Sequence, residues 1–197
     1  MAKTEEIAKV CHAVLQDINF YIFLVQIDQD LAAEAPTAGC SWGGVLHSAR
    51  YPRKPRGAPR GLGPEYESRL SFCCAQEDCR RRTTPPSVRF LGRRVYLSAV
   101  VVLVSAMQNG VTGKRAQQLH EVVGISLRTL KRWRQWWREG FVGSPFWKQA
   151  QGPFSAPLEV ANLPTSLLER FTGEDIQTRL LQLLRFLLPL TTSERVV

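Results

Sequence analysis

Four cysteines and a dense set of arginines carry the chemical potential of this chain. Cys40, Cys73, Cys74 and Cys79 gather in the first half of the sequence, and thiolates are ligands for zinc and other soft metals. A ribbon-type zinc site takes two ligand pairs on adjacent knuckles. The segment Cys74-Ala75-Gln76-Glu77-Asp78-Cys79 has the form of one pair. Cys40-Ser41-Trp42-Gly43-Gly44 has the form of the other, except that its second cysteine is missing, with Trp42 close to that place. A complete site would need Cys73 or His47 as its fourth ligand. Three readings stay open: a zinc site on Cys40, Cys74 and Cys79 completed by Cys73 or His47, a degenerate ribbon that keeps its shape without metal, and unrelated reduced thiols in a small core. Cys11 stands apart and reads as a core residue.

The arginines point to a polyanion. The chain has 197 residues and a net charge of +9, but the charge is unevenly spread. Residues 1–49 carry −4, residues 50–94 carry +8, residues 95–150 carry +6 and residues 151–197 carry −1. A solvated face usually mixes signs. A central block this basic, with 16 arginines among its 20 cations, suits phosphate oxygens, which match the guanidinium fork. Nucleic acid is therefore the expected partner. Arg53, Lys54, Arg56, Arg80, Arg81 and Arg82 are candidate phosphate contacts in the loops around the cysteines.

The most specific spacing lies in Thr112–Arg138. A helix-turn-helix packs two short helices about a tight turn, so apolar residues must fall at fixed offsets from a turn glycine. Counting from Gly124, Leu119 and Val123 precede it, Ile125 follows, and Leu130 and Trp133 lie six and nine residues on. Ser126 is a good N-cap for the second helix. That helix would bury Leu130 and Trp133 and expose Ser126, Leu127, Arg128, Lys131, Arg132 and Gln135, within reach of base edges. Lys114, Arg115, Arg134 and Arg138 are placed for phosphates, which position without specifying.

The elements that must hold these residues follow from local pattern. Residues 4–33 have helical apolar spacing, 35–63 is rich in Pro and Gly, and short strands are expected near Gly44–Leu46 and Arg69–Phe72. Arg80–Pro86 is an extended connection. Val95–Met107 is apolar nearly all round, as a central buried helix would be. A helix then runs to about Val123 and another from Ser126 to Glu139, stopped by Gly140. Trp133, Trp136 and Trp137 share one helical face and are expected in the core. Residues 143–157 read as loop, followed by helices over about Pro164–Phe171 and Glu174–Leu188. The expected fold is mainly α, a helix-turn-helix three-helix core preceded by a small ribbon-like β module. The divisions are a helical extension at 1–38, the ribbon-like module at 39–92, the helix-turn-helix at 93–142, and a linker with helices at 143–197.

The phrase Gly124-Ile125-Ser126-Leu127-Arg128-Thr129-Leu130-Lys131-Arg132-Trp133 resembles the turn and recognition helix of many bacterial regulators and transposases. His120 stands where those families place a small residue, so its imidazole must either splay the helices or point outward. The order of a Gly-rich Cys knuckle, the basic loop Tyr51-Pro52-Arg53-Lys54-Pro55-Arg56-Gly57, the segment Ser71-Phe72-Cys73-Cys74 to Cys79-Arg80-Arg81-Arg82 and then this motif resembles bacterial zinc-ribbon and helix-turn-helix proteins akin to the DNA-binding front ends of insertion-element transposases. Arg80–Tyr96 is similar to the link between the two modules. The resemblance covers about residues 39–190 and implies DNA binding, a mobile-element origin and a transposase or other mobile-element protein as partner.

Catalysis is not expected. After Gly140 only 57 residues remain, too few for a metal-dependent nuclease sheet. Tyr21, Tyr51, Tyr66 and Tyr96 all precede the helix-turn-helix, His12, His47 and His120 are scattered, and no phosphate-binding Gly-Lys loop occurs. No apolar run nears the ~20 residues of a membrane span. Glu5 and Glu6 carry the wrong charge for a secretory signal, so a cytoplasmic protein with reduced thiols is expected. The sequence therefore predicts a non-catalytic DNA binder. The alternatives are an RNA or general polyanion binder working through Arg50–Arg94, and an interaction module or homodimer using Leu180–Leu188.

Overall fold

The structure, a computed structural model, describes residues 11–53, 56–57, 59, 61–91, 98–106, 117, 120–121, 124–154 and 158–192. Helices dominate, with one small antiparallel sheet system near the cysteines. Residues 11–16 are helical, and Asp17 then restarts the chain by capping α1 (Ile18–Ala38), its carboxylate accepting from the backbone N–H groups of Asn19 and Phe20 at 3.0 and 3.3 Å. Phe20, Tyr21, Leu24, Val25, Ile27 and Ala32 form the buried stripe of α1. Phe20, Tyr21, Leu24, Val25 and Ile27 belong to the same core cluster as Leu180, Leu183 and Leu184 near the C-terminus.

The chain next forms β1 (Leu46–Ser48), β2 (Tyr51–Pro52), β3 (Ser68–Arg69), β4 (Phe72–Cys74) and β5 (Arg82–Thr83). β1, β4 and β5 pair antiparallel in that order, with Leu46 opposite Cys74 and His47 opposite Cys73. Arg82 lies opposite Cys73 from the other side. A separate pair joins β2 to β3.

One buried charge pair ties this sheet system to the helices. The Asp28 carboxylate of α1 accepts from Arg89 Nε at 2.7 Å, the Val88 N–H at 2.8 Å and the Ser87 hydroxyl at 2.5 Å. The Arg89 guanidinium also donates to the carbonyls of Tyr66 and Ser68, at 3.0 and 3.1 Å. Both side chains are 1% exposed. Burying two ions is tolerable here because the lone pairs and N–H groups find partners.

α2 (Ser98–Ala106) is the hub expected from its sequence, with Ala99 through Val104 all at 0% exposure. Against it pack α3 (Leu127–Gln135) and, after α4 (Pro145–Ala150) and α5 (Thr165–Leu168), the C-terminal α6 (Ile176–Phe186). Leu180, Leu183, Leu184 and Leu187 are buried in this core. Leu181, Phe186 and Leu188 are partly buried against the same core.

Two local departures have clear causes. Gly140 does not end the third helix, which widens instead into a π-helical turn over Trp136–Phe141. A Cβ on Gly140 would stand 2.8 Å from Trp136 Cδ1, so the glycine makes room for the indole within the turn. The expected loop after Gly143 contains α4, whose signal is a Ser144 N-cap followed by Pro145 in the first turn. Its Trp147 stacks with Phe141 and Phe154, closing an aromatic chain that includes Trp137 and Phe186.

Candidate metal centre and nucleic-acid interface

Three of the cysteines converge. The Sγ atoms of Cys40, Cys74 and Cys79 all lie within 4.8 Å of one another, and Cys40 and Cys79 are 3.6 Å apart. Cys40 is delivered by the end of α1, where the Gly39 N–H bonds to the Pro36 carbonyl. A tight turn follows: the Gly43 N–H reaches the Cys40 carbonyl at 2.7 Å and the Cys40 N–H the Gly44 carbonyl at 3.0 Å. Gly43 has φ 77°, a left-handed value that few side chains tolerate. Cys74 ends β4, and Cys79 returns on a turn closed by its N–H on the Gln76 carbonyl at 3.1 Å.

The electrostatics favour a thiolate at Cys40. The Trp42 backbone N–H points at Cys40 Sγ and is the main cause holding that thiol below its ordinary range, against a smaller opposing effect of burial. Cys74 receives a matching N–H from Gln76, but burial and its two thiol neighbours outweigh it and the thiol is pushed up. Each knuckle thus aims a backbone donor at a sulfur, which offsets negative charge on the thiolates. Three thiols in this arrangement could hold a metal ion.

Neither expected fourth ligand joins them. Successive strand residues face opposite sides, so Cys73 points away from Cys74, and His47, directly across from Cys73, shares its side. The Cys73 thiol is engaged with the Arg80 carbonyl at 3.4 Å. Cys11 is fully buried, its thiol pushed up to about 11 by burial, in agreement with a core role.

The second candidate site is the outer face of α3. Gly124 has φ 65°, its N–H closing on the His120 carbonyl at 2.9 Å. Ile125 is buried directly after it, and Ser126 caps α3 by accepting from the Thr129 N–H. Leu130 and Trp133 are buried, as the spacing required. Ser126, Leu127, Arg128, Lys131, Arg132, Arg134 and Gln135 are exposed. Gln135 donates to Glu139 at 2.9 Å and Arg132 to the Thr129 hydroxyl at 3.4 Å. His120 is exposed and so points outward. Of the helix before the turn only residues 117, 120 and 121 are described, all helical; Lys114, Arg115, Leu119 and Val123 lie outside the described residues.

Two expected phosphate contacts are turned inward. Arg138 is partly buried and donates to the Ala161 carbonyl at 2.9 Å. Arg53 lies over the Phe90 ring, 4.7 Å from its centroid. Arg56, Arg80, Arg81 and Arg82 are exposed, and Lys54 lies outside the described residues. Among the described residues no helix is long and apolar enough to cross a membrane. Comparison with family models, curated proteins and solved structures finds no match.

Proposed function

We propose that this chain binds duplex DNA through α3, acting as a recognition helix laid in the major groove, without a catalytic domain of its own. The observation that carries this reading is the outer face of α3. Arg128, Lys131, Arg132 and Arg134 are exposed on a helix that contains no acidic residue, while Leu130 and Trp133 seat its other side. Cations three and four residues apart repel, each pair costing about 0.2–0.5 kcal/mol. A polyanion converts that repulsion into binding energy and releases counterions. Arg128 and Lys131, near the capped N-terminus, are suited to guanine edges, Gln135 to adenine, and exposed Leu127 to a thymine methyl.

Zinc is the metal of this reading. A Zn–S bond of about 2.3 Å sets tetrahedral sulfurs about 3.8 Å apart, close to the 3.6 Å between Cys40 and Cys79. Cys40, Cys74 and Cys79 would supply three positions and a water or a ligand outside the described residues the fourth. The mobile-element origin, with a transposase-type partner, belongs to the same proposal and is supported by the order of the two modules.

The test is Arg128→Ala with Lys131→Ala, assayed on sequences selected from a random duplex pool at about 150 mM salt. The double variant should bind at least about tenfold more weakly, with its helical circular dichroism retained. Unchanged affinity in a folded variant would remove α3 from the interface.

A further inference from the structure

The thiol turn displays an aromatic side chain that neither the metal centre nor α3 uses. Trp42 is 68% exposed, whereas Trp133, Trp137 and Trp147 are at most 5% exposed. Large aromatics normally go inside. This one is held out by a rigid turn: its backbone N–H is committed to Cys40 Sγ, and the turn is locked by the hydrogen bonds between Cys40, Gly43 and Gly44. Next to it Val45 is 75% exposed.

Its surroundings are cationic. The Arg81 guanidinium lies over the indole, 5.9 Å from the ring centroid, and is steadied by the Ser41 hydroxyl at 3.2 Å. Arg80 is also exposed, against the two acids of the other knuckle, Glu77 and Asp78, while Arg82 turns to the Tyr51 ring and the Ala49 carbonyl. An aromatic face fixed beside guanidinium groups matches a nucleobase and its phosphate: the ring takes the base by stacking, and the cations take the backbone. A paired base inside a duplex has no free face to offer, so the ligand must present an unpaired one.

We propose that Trp42 is a base-stacking residue, presented by the Cys40 turn to an unpaired base of a single-stranded nucleic acid, with Arg81 on the adjacent phosphate. This site is separate from α3 and takes a different ligand, so either can fail without the other. A protein partner for the same patch would not need a π-face, and the charge beside the ring favours the nucleic acid.

The experiment is titration of the whole chain with a short oligothymidylate and a short oligouridylate at low salt, followed by tryptophan fluorescence and by anisotropy of a labelled strand. Binding should quench the exposed indole. Trp42→Ala should weaken binding about tenfold, Trp42→Phe should retain most of it because a π-face remains, and Arg81→Ala should reduce both the affinity and its salt dependence. A preference for one oligonucleotide assigns the strand to DNA or RNA, and either preference supports stacking. Wild-type affinity in Trp42→Ala, equal losses in the Ala and Phe variants, or no binding of either strand overturns the proposal. The Arg128/Lys131 double variant should bind oligothymidylate normally while losing duplex DNA, which tells a failure at Trp42 from a failure at α3.

Discussion

Around its thiols the small sheet region buries, among the described residues, Cys40, Leu46 and Cys74, with Phe72 and Cys79 packed beside them. The helical half buries Trp133, Trp137, Phe141, Trp147 and the C-terminal leucines around the fully enclosed α2. The two regions therefore meet the entropy of ordering a chain in different ways. Apolar area and aromatic contacts suffice for the helices. The knuckles have too little apolar surface for that and rely on cross-links: a sulfur cluster that a metal can join, and backbone N–H groups aimed at the sulfurs. Between the regions stands a third device, the Asp28–Arg89 pair, which ties α1 to the segment around Tyr66 and Ser68. Damage should therefore spread differently from each of the three.

The largest effect is expected at that anchor. Asp28→Ala leaves the Arg89 charge buried and the Val88 N–H and Ser87 hydroxyl without their acceptor. Breaking a buried pair from one side costs about 3–5 kcal/mol, which should appear as a lowered midpoint in urea unfolding for helices and sheet together. A loss below about 1 kcal/mol would mean that water reaches Arg89 and that the two regions are joined by packing alone.

Damage at the thiols should stay local. Wild-type protein refolded with zinc is expected to hold about one metal per chain by elemental analysis, and Cys40→Ser or Cys79→Ser should lower that to near zero. Amide exchange should then quicken at residues 40–44 and 74–81 while Leu130 and Trp133 remain protected. Should chelation expose the helical core equally, the two regions would form one cooperative unit, and the contrast between them would fail.

What was legible in the sequence follows the range of the interactions. The turn at Gly124, the cap at Ser126 and the buried pair Leu130 and Trp133 are set within ten residues of one another, so spacing alone places them. The trio Cys40, Cys74 and Cys79 was likewise read from two local knuckles. The spacing leaves the fourth ligand open between Cys73 and His47; the strand through Cys73 and Cys74 turns the two thiols to opposite sides, and Cys73 stands outside the trio. Asp28 and Arg89 lie 61 residues apart, and no local pattern announces their meeting. Arg138 has the composition of a phosphate contact, yet only tertiary packing shows that Ala161 takes its guanidinium. The helix at Pro145–Ala150 did have a signal in Ser144-Pro145, overshadowed by the flanking Gly143 and Gly152.

The smallest effect tests the turn itself. A Cβ built on Gly124 meets nothing within 4 Å, so substitution there has no steric cost beyond the backbone. What remains is the left-handed φ of 65°, which costs an ordinary L-residue about 1–2 kcal/mol and asparagine less. Gly124→Ala should therefore destabilise the helical region by about 1 kcal/mol in urea, Gly124→Asn by less, and neither should change the metal content of the thiol cluster. An alanine variant as stable as wild type would show that the chain can leave the left-handed conformation at this turn at no cost. The direction of α3 would then be fixed by Ile125, Leu130 and Trp133 in the core rather than by the glycine.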